Sequence, residues 1–496
     1  MKPLQEWFRN PWLAGTLFVA TVGIGVGVGL LLTSVATRKA EARFAYTTKA
    51  DIAPDESRSE VWGRAYPLEY ESWKQTSDTG FRSKFGGSAF RDVLAEDPRM
   101  VVLWAGYAFS KEYNQSRGHA YAVQDVRNIL RTGAPNDTDK GPQPGTCWTC
   151  KSPDVPRMMA KMGDSAFYKG KWSDLGHQIV NPVGCLDCHD PKTMALRISR
   201  PALADAFARQ GKDITKASHA EMRSLVCAQC HVEYYFNGPN KHLTFPWDSG
   251  MTVERMEAYY DSANFTDWVH ALSKAPMLKA QHPDFEVFKM GIHGQRGLAC
   301  ADCHMPYKTQ GGMKFSDHHI RSPLSNIANS CQVCHRESAE ELTRNVNERQ
   351  EKIQEERILL EDVLVRAHLE AKAAWEAGAD SATMQPILKL IRRSQWRWDF
   401  ATAGNGNAFH APVEIGRILA NGISFGQEAR IRLARVLSDK GVKVDVPYPD
   451  ISTKAKAQEL IGLKMDKFGA EKQVFLAKVV PVWLQKAKAR EDSLPK

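Results

Sequence analysis

The chain has 496 residues, a formal charge of +9 and a pI near 8.9, with 43% hydrophobic and 25% charged residues. At roughly 100–200 residues per domain, that length predicts two or three domains or one large enzyme domain. The composition excludes a disordered chain, a collagen and a polytopic membrane protein. The basic balance contains no Lys/Arg run interleaved with aromatics, so nucleic acid is not an expected partner.

The first element is an uncharged stretch from Asn10 to Thr37, preceded by Lys2 and Arg9. A bilayer needs about 20 apolar residues and a secretory h-region only about 7–15. The surplus length favours a membrane anchor over residues 11–35, while the small residues Ser34-Val-Ala36 keep a cleaved signal open. Residues 1–38 are therefore read as a signal-anchor or signal peptide. Residues 39 to about 145 are rich in aromatic and small residues and end in turn formers, Gly133-Ala-Pro-Asn-Asp and Gly141-Pro-Gln-Pro-Gly145.

Residues 147–335 hold all ten cysteines, on connections rich in Gly, Pro and Asn with no alternating β-branched run to make a sheet. After Cys334 the texture turns helical: Ser338-x-x-Glu341 reads as a capping box and Gly378 as a stop. Between them Ile353, Leu360, Ala367 and Ala374 recur every seven residues, with Leu364 and Ala371 beside them. On so long a helix this stripe predicts a partner helix from a second chain, the alternative being the chain's own helices around 386–400, 412–438 and 454–486.

Every cysteine belongs to a C-x-x-C pair: Cys147/Cys150, Cys185/Cys188, Cys227/Cys230, Cys300/Cys303 and Cys331/Cys334. The residues that follow are Lys151, His189, His231, His304 and His335. Two-residue disulfide loops have no stabilising rationale here, and zinc sites would gather pairs in fours and leave each following His unused. Covalent haem c uses both sulfurs as thioethers and the adjacent His as proximal ligand. Five haems c are thus expected, attached outside the cytoplasm. Lys151 breaks the pattern. A lysine amine ligates iron only when deprotonated, so this pair is either a degenerate site or one haem with an unusual ligand and an open face for substrate.

Several longer stretches join these motifs: Tyr113-Asn-Gln-Ser-Arg-Gly-His-Ala-Tyr-Ala122, Cys147-Trp-Thr-Cys-Lys151, Cys227-Ala-Gln-Cys-His-Val-Glu-Tyr-Tyr235, Pro276-Met-Leu-Lys-Ala-Gln-His-Pro283 and Gln395-Trp-Arg-Trp-Asp399. Together, from about Val61 to Gln485, the chain resembles the pentahaem cytochrome c nitrite reductases, periplasmic enzymes that form ammonium. The resemblance implies a mainly α multihaem cytochrome c fold, with a haem-binding catalytic core over 39–335. Residues 336–496 would form a helical region that packs on the core and supplies one haem ligand and the dimer helix.

For the distal ligands the resemblance implies His119 opposite His231, His318 opposite His189, His293 opposite His335 and His410 opposite His304. His319 stays open beside His318. It places Arg117, Tyr234 and His282 over the Lys151 haem as catalytic residues; a haem propionate partner is the plainer role for Arg117 and His282. Glu233, Tyr234, Lys279 and Gln281 resemble the family's calcium site, one ion per chain, although a Glu233–Lys279 salt bridge would read the same. His177, His219, His242, His270 and His368 match no ligand position. Nitrite as substrate, a homodimer and a membrane quinol-oxidising multihaem cytochrome as electron donor complete what the resemblance implies. The alternatives are a multihaem electron carrier without catalysis and a hydroxylamine-oxidising relative.

Overall fold

The computed structural model describes residues 11–45, 51–442 and 445–494. Pro11, preorganised for a helix start, opens α1 (Pro11–Ala45), which is solvent-exposed along almost its whole apolar length. Over Pro11–Lys39 this helix is long and apolar enough to cross a membrane by length and composition.

The cysteine-bearing region is built from short helical turns and loops, in which α2 (His219–Ala228) and α3 (Asp284–Met290) are the helices that matter most for the site. Ser218 caps α2 with a capping box to Glu221. As the sequence indicates, there is no extended sheet among the described residues, only three two-stranded hairpins. In the first, β1 (Tyr235–Asn237) pairs antiparallel with β2 (His242–Thr244). In the second, β3 (Trp268–Val269) pairs with β4 (Pro276–Met277), and in the third β5 (Tyr307–Gln310) pairs with β6 (Met313–Ser316). Each hairpin abuts residues singled out above: β1 follows Glu233-Tyr234, β4 runs into Lys279–His282, and β6 runs into Asp317-His318.

Three long helices pack behind this region: α4 (Ala339–Glu376), α5 (Ser381–Ala403) and α6 (Pro412–Asp439). The α4 boundaries are those the sequence marks. Ser338 Oγ accepts the Glu341 N–H at 3.1 Å, and Gly378 takes φ +81° just past the end. There the Ala379 N–H returns to the Ala374 carbonyl at 3.0 Å, the pattern that closes a helix at a left-handed residue.

The seven-residue stripe does not face a partner chain. Leu360, Leu364, Ala367, Ala371 and Ala374 are fully buried and Ile353 nearly so, packed within the chain where α6 crosses α4. Glycine makes that approach close: a Cβ on Gly422 would lie 2.6 Å from Leu360 Cδ2, and one on Gly426 2.6 Å from Val363 Cγ1. The long seam finds its partner at home, which corrects the expectation of an intermolecular stripe. The last predicted helix, over 454–486, is also interrupted, because Gly462 at φ +75° separates Lys454–Leu460 from Met465–Val474.

Candidate active site

In the Cys185, Cys227 and Cys331 segments a helical turn closes from the first cysteine carbonyl to the N–H of the following histidine, at 2.9 Å each (His189, His231, His335). Residues i and i+3 share a face of such a turn, so both sulfurs and the next imidazole are presented together. The Lys151 segment differs: its turn is tighter, with Lys151 N–H on the Trp148 carbonyl at 2.9 Å. None of the ten cysteines is in a disulfide. All ten line one connected cavity of about 2200 Å³, together with Lys151 and the eight histidines expected as axial ligands. Single-ligand pockets run to about 300–1,000 Å³; this space fits several large planar groups.

The histidines pair across that cavity. Ring centroids are 6.5 Å apart for His119 and His231, 6.2 Å for His189 and His318, 6.3 Å for His293 and His335, and 6.3 Å for His304 and His410. Two imidazoles on opposite sides of one metal, each at about 2.0–2.1 Å plus roughly 1 Å from nitrogen to ring centre, would stand about 6.3 Å apart. His282 also stands 6.3 Å from His231. Asp284, two residues beyond His282, has Oδ2 3.5 Å from His231 Nδ1, on the nitrogen that a ligating ring leaves for its orienting partner. Three more rings are oriented similarly, whereas His410 Nδ1 is buried without a partner. His189 Nδ1 bonds the Met194 carbonyl at 2.9 Å, His304 Nδ1 the Arg321 carbonyl at 2.9 Å, and His318 Nδ1 the Ser316 carbonyl at 2.8 Å, leaving Nε2 for a metal. His319 is buried beside His318 with no partner for its Nδ1; the ring that faces His189 is His318. Burial pushes His119, His189 and His410 down to about 4, which keeps them in the neutral form that binds iron.

Around Lys151 the chemistry changes. Burial pushes His282 down to about 3. Burial and the neighbouring Cys150 and Cys147 sulfurs hold the Tyr234 phenol well above its usual range. A neutral imidazole and a protonated phenol therefore share this end of the cavity.

Arg117, expected as the cation here, lines the same cavity as Lys151, Tyr234 and His282 and is ion-paired there. Its guanidinium bonds the Asp125 carboxylate through Nε at 3.1 Å and through Nη2, and stacks 3.8 Å from the Tyr121 ring centre. Arg131 takes the inner position. It lies 4.0 Å over the Phe109 ring, close enough to Tyr234 and Cys147 to interact with both, and its Nε is buried without a hydrogen-bond partner. Nothing in the sequence around Asn128-Ile-Leu-Arg131 marks it; Asp284 was equally unmarked, although its position after His282-Pro283 at a helix start was legible.

Glu233 is fully buried, its carboxylate accepting the Gln281 N–H at 2.6 Å and the Tyr260 hydroxyl at 2.8 Å. The Lys279 ammonium pairs with Asp399 at 2.7 Å, so the Glu233–Lys279 salt bridge is not formed. Glu286 holds the Glu233 N–H and Trp247 Nε1 at 2.8 Å each, and its second oxygen is buried with no partner. Burial pushes Glu286 up to about 8 and Asp267 up to about 7. Buried carboxylates thus outnumber the one ammonium, and carboxylate, amide and carbonyl oxygens fit a hard cation. Among the described residues no cluster of three or more His, Cys, Asp or Glu side chains is arranged for a metal, so such a site depends on the Gln281 amide and backbone carbonyls. Of the unassigned histidines, His270 and His368 stack at 3.6 Å within a buried network to Val102, Ser273 and Gln395, and His242 faces Asp205. His177 is half-buried, and its backbone carbonyl accepts a bond from Arg490.

The cytochrome c552 family model matches residues 58–491. Cytochrome c-552 of Bacteroides fragilis is 58% identical over 489 residues, 98% of either chain. Cytochrome c-552 of Porphyromonas gingivalis is 58% identical over 488 residues, again 98% of either chain. Among solved structures, the catalytic subunit of cytochrome c nitrite reductase from Desulfovibrio desulfuricans, described with two calcium sites, superposes with a TM-score of 0.74 at 32% identity, covering 84% of this chain and 91% of that one. The chain belongs to the cytochrome c552 family and has the fold of cytochrome c nitrite reductase.

Proposed function

We propose that the protein reduces nitrite to ammonium, taking up six electrons and eight protons, at a haem ligated by Lys151. The observation that carries this reading is an asymmetry: four attachment motifs place their histidine opposite a second imidazole at 6.2–6.5 Å, while the fifth ends in Lys151, near Tyr234 and His282. When bound, five haems c supply the iron that holds nitrite and the path that brings it electrons.

The chain's residues do the rest. The cysteine pairs attach the haems, and His119/His231, His189/His318, His293/His335 and His304/His410 ligate four of them. Arg131, a buried guanidinium with a free N–H, attracts the anion and stabilises charge on its oxygens; Arg117, held by Asp125, is a second-rank candidate. Tyr234 donates a hydrogen bond from a phenol that burial keeps protonated, and neutral His282 offers a ring N–H. Glu233, Gln281 and the carbonyls of Tyr234 and Lys279 hold a calcium ion, which fixes Tyr234 through its own backbone. The core of residues 39–335 carries this chemistry, and residues 336–496 add His410. The protein works in the periplasm, with α1 as anchor or export signal, and receives electrons from a quinol-oxidising multihaem cytochrome. A homodimer would use a face other than the buried stripe; Ile358 and Leu359 on α4 and Val413 and Ile431 on α6 are the exposed large apolar residues to examine.

The test is isotopic. Supplied with ¹⁵N-nitrite and a reduced viologen dye, the holoprotein is expected to release ¹⁵N-ammonium with six dye equivalents oxidised per nitrite. Release of nitric oxide or hydroxylamine as the main product, or no turnover in fully haem-loaded protein, would overturn the reading.

A further inference from the structure

Arg200 is a buried guanidinium, with only 1% of its side chain exposed, at the meeting point of three attachment segments. Its charge is felt at Cys150, Cys188 and Cys230. Its Nε donates to the Thr149 carbonyl at 2.8 Å, and its Nη2 donates to the Ser152 carbonyl at 2.7 Å and to Asp187 Oδ1 at 2.5 Å. Its Nη1 donates to Ser199 Oγ at 2.7 Å. Thr149 and Ser152 lie on either side of the Cys150-Lys151 pair.

The other ends of the network are equally specific. Asp187 Oδ2 accepts the Gly184 N–H at 2.8 Å, opening the Cys185–Cys188 turn. Gln229 accepts the Ser199 N–H at 3.0 Å and donates to the Asp187 carbonyl at 2.9 Å. Thr149, Asp187 and Gln229 occupy the same place in their motifs, immediately before the second cysteine. One buried fork therefore joins that position in two haem-attachment turns directly and reaches the third, Gln229, through Ser199.

We propose that Arg200 is the positioning residue of Lys151: it holds the backbone on both sides of the lysine and fixes that short segment against the second and third attachment turns. The inference rests on the reading of Lys151 as a haem ligand. A flexible lysine side chain must reach its metal from a turn that is one residue tighter than those of the histidine motifs. A rigid planar donor set that clamps both flanking carbonyls removes the backbone freedom a long side chain would otherwise exploit. Lysine at position 200 could keep the charge but not the fork, because one ammonium cannot serve Thr149, Ser152 and Asp187 in that geometry.

The test is electron paramagnetic resonance of the full, haem-loaded chain, comparing wild type with Arg200→Lys and with the milder Ser199→Ala. Expected for Arg200→Lys are five covalent haems, unchanged low-spin signals, and a high-spin signal shifted or reduced by at least half; Ser199→Ala is expected to move it in the same direction by less. An unaltered high-spin signal in Arg200→Lys overturns the proposal. If that variant does not load its haems, an unaltered signal in Ser199→Ala overturns it. Equal disturbance of the low-spin signals overturns it too, because the residue would then serve packing in general. A wild type with no high-spin signal removes the Lys151 reading itself, and the proposal with it.

Discussion

Arg117 and Arg131 are both cations near the Lys151 end of the cavity, and exchanging each for glutamine separates their roles. Two unit charges about 4 Å apart at an effective dielectric near 20 attract by about 4 kcal/mol. Arg131 can deliver much of that to an anion, since its Nε is buried with no hydrogen-bond partner and it lines the same cavity as Tyr234. The Arg117 charge is already met by Asp125, with 23% of its side chain exposed, and exposed pairs are worth roughly 0–1 kcal/mol. Removing a preorganised donor to developing charge costs about 10²–10³ in rate, or about 2.7–4 kcal/mol. Arg131→Gln should therefore lower kcat/KM for nitrite by about 10²–10³ and Arg117→Gln by less than about fivefold. Initial rates with a reduced viologen donor, in preparations matched for haem content, measure both. A larger loss in Arg117→Gln, or an Arg131→Gln protein within about threefold of wild type, would refute the assignment.

Glu233→Ala, or exhaustive chelation, should remove bound calcium and lower nitrite turnover at least tenfold, an effect of the size seen when orienting groups around a metal site are lost, with all five haems retained; metal analysis and haem content read the two separately. Leu360→Ala should cost about 2–5 kcal/mol as a core cavity, seen as a lower thermal midpoint, while sedimentation stays that of wild type because Leu360 is buried inside the chain. Lys472 is buried on Thr132 and Gly133, and burial pushes it down to about 7. Unfolded lysine titrates near 10.4, so between about pH 7 and 10 the unfolded chain binds more protons and stability should rise with pH, by an amount on the order of a few kcal/mol. Lys472→Met should be more stable than wild type at pH 7 and lose that rise, which urea midpoints across the range will show.

Spacing and periodicity made much of this molecule legible. The C-x-x-C pairs and their following residues pointed to covalent haem c, as the family match supports, and the Ser338 cap and Gly378 stop marked α4 to the residue. The stripe on α4 was read correctly as a packing seam but assigned to the wrong partner. A heptad repeat specifies that a helix must be covered and is silent about which chain covers it, and the deciding residues, Gly422 and Gly426, lie some sixty residues away. The Arg117 charge and motif were visible too, whereas its ion pair with Asp125 is a three-dimensional fact. Arg131, Asp284 and Arg200 act through burial and partners distant in sequence, and no local pattern distinguishes such residues from ordinary surface charges.

The central claim is that nitrite reacts at the haem carried by Cys147 and Cys150 and ligated by Lys151. Electron paramagnetic resonance of the oxidised holoprotein, before and after nitrite is added, tests it most directly. The account predicts one high-spin haem among five, with nitrite changing that signal and leaving the four low-spin signals as they were. Five low-spin haems, or a high-spin signal that nitrite does not alter, would contradict it.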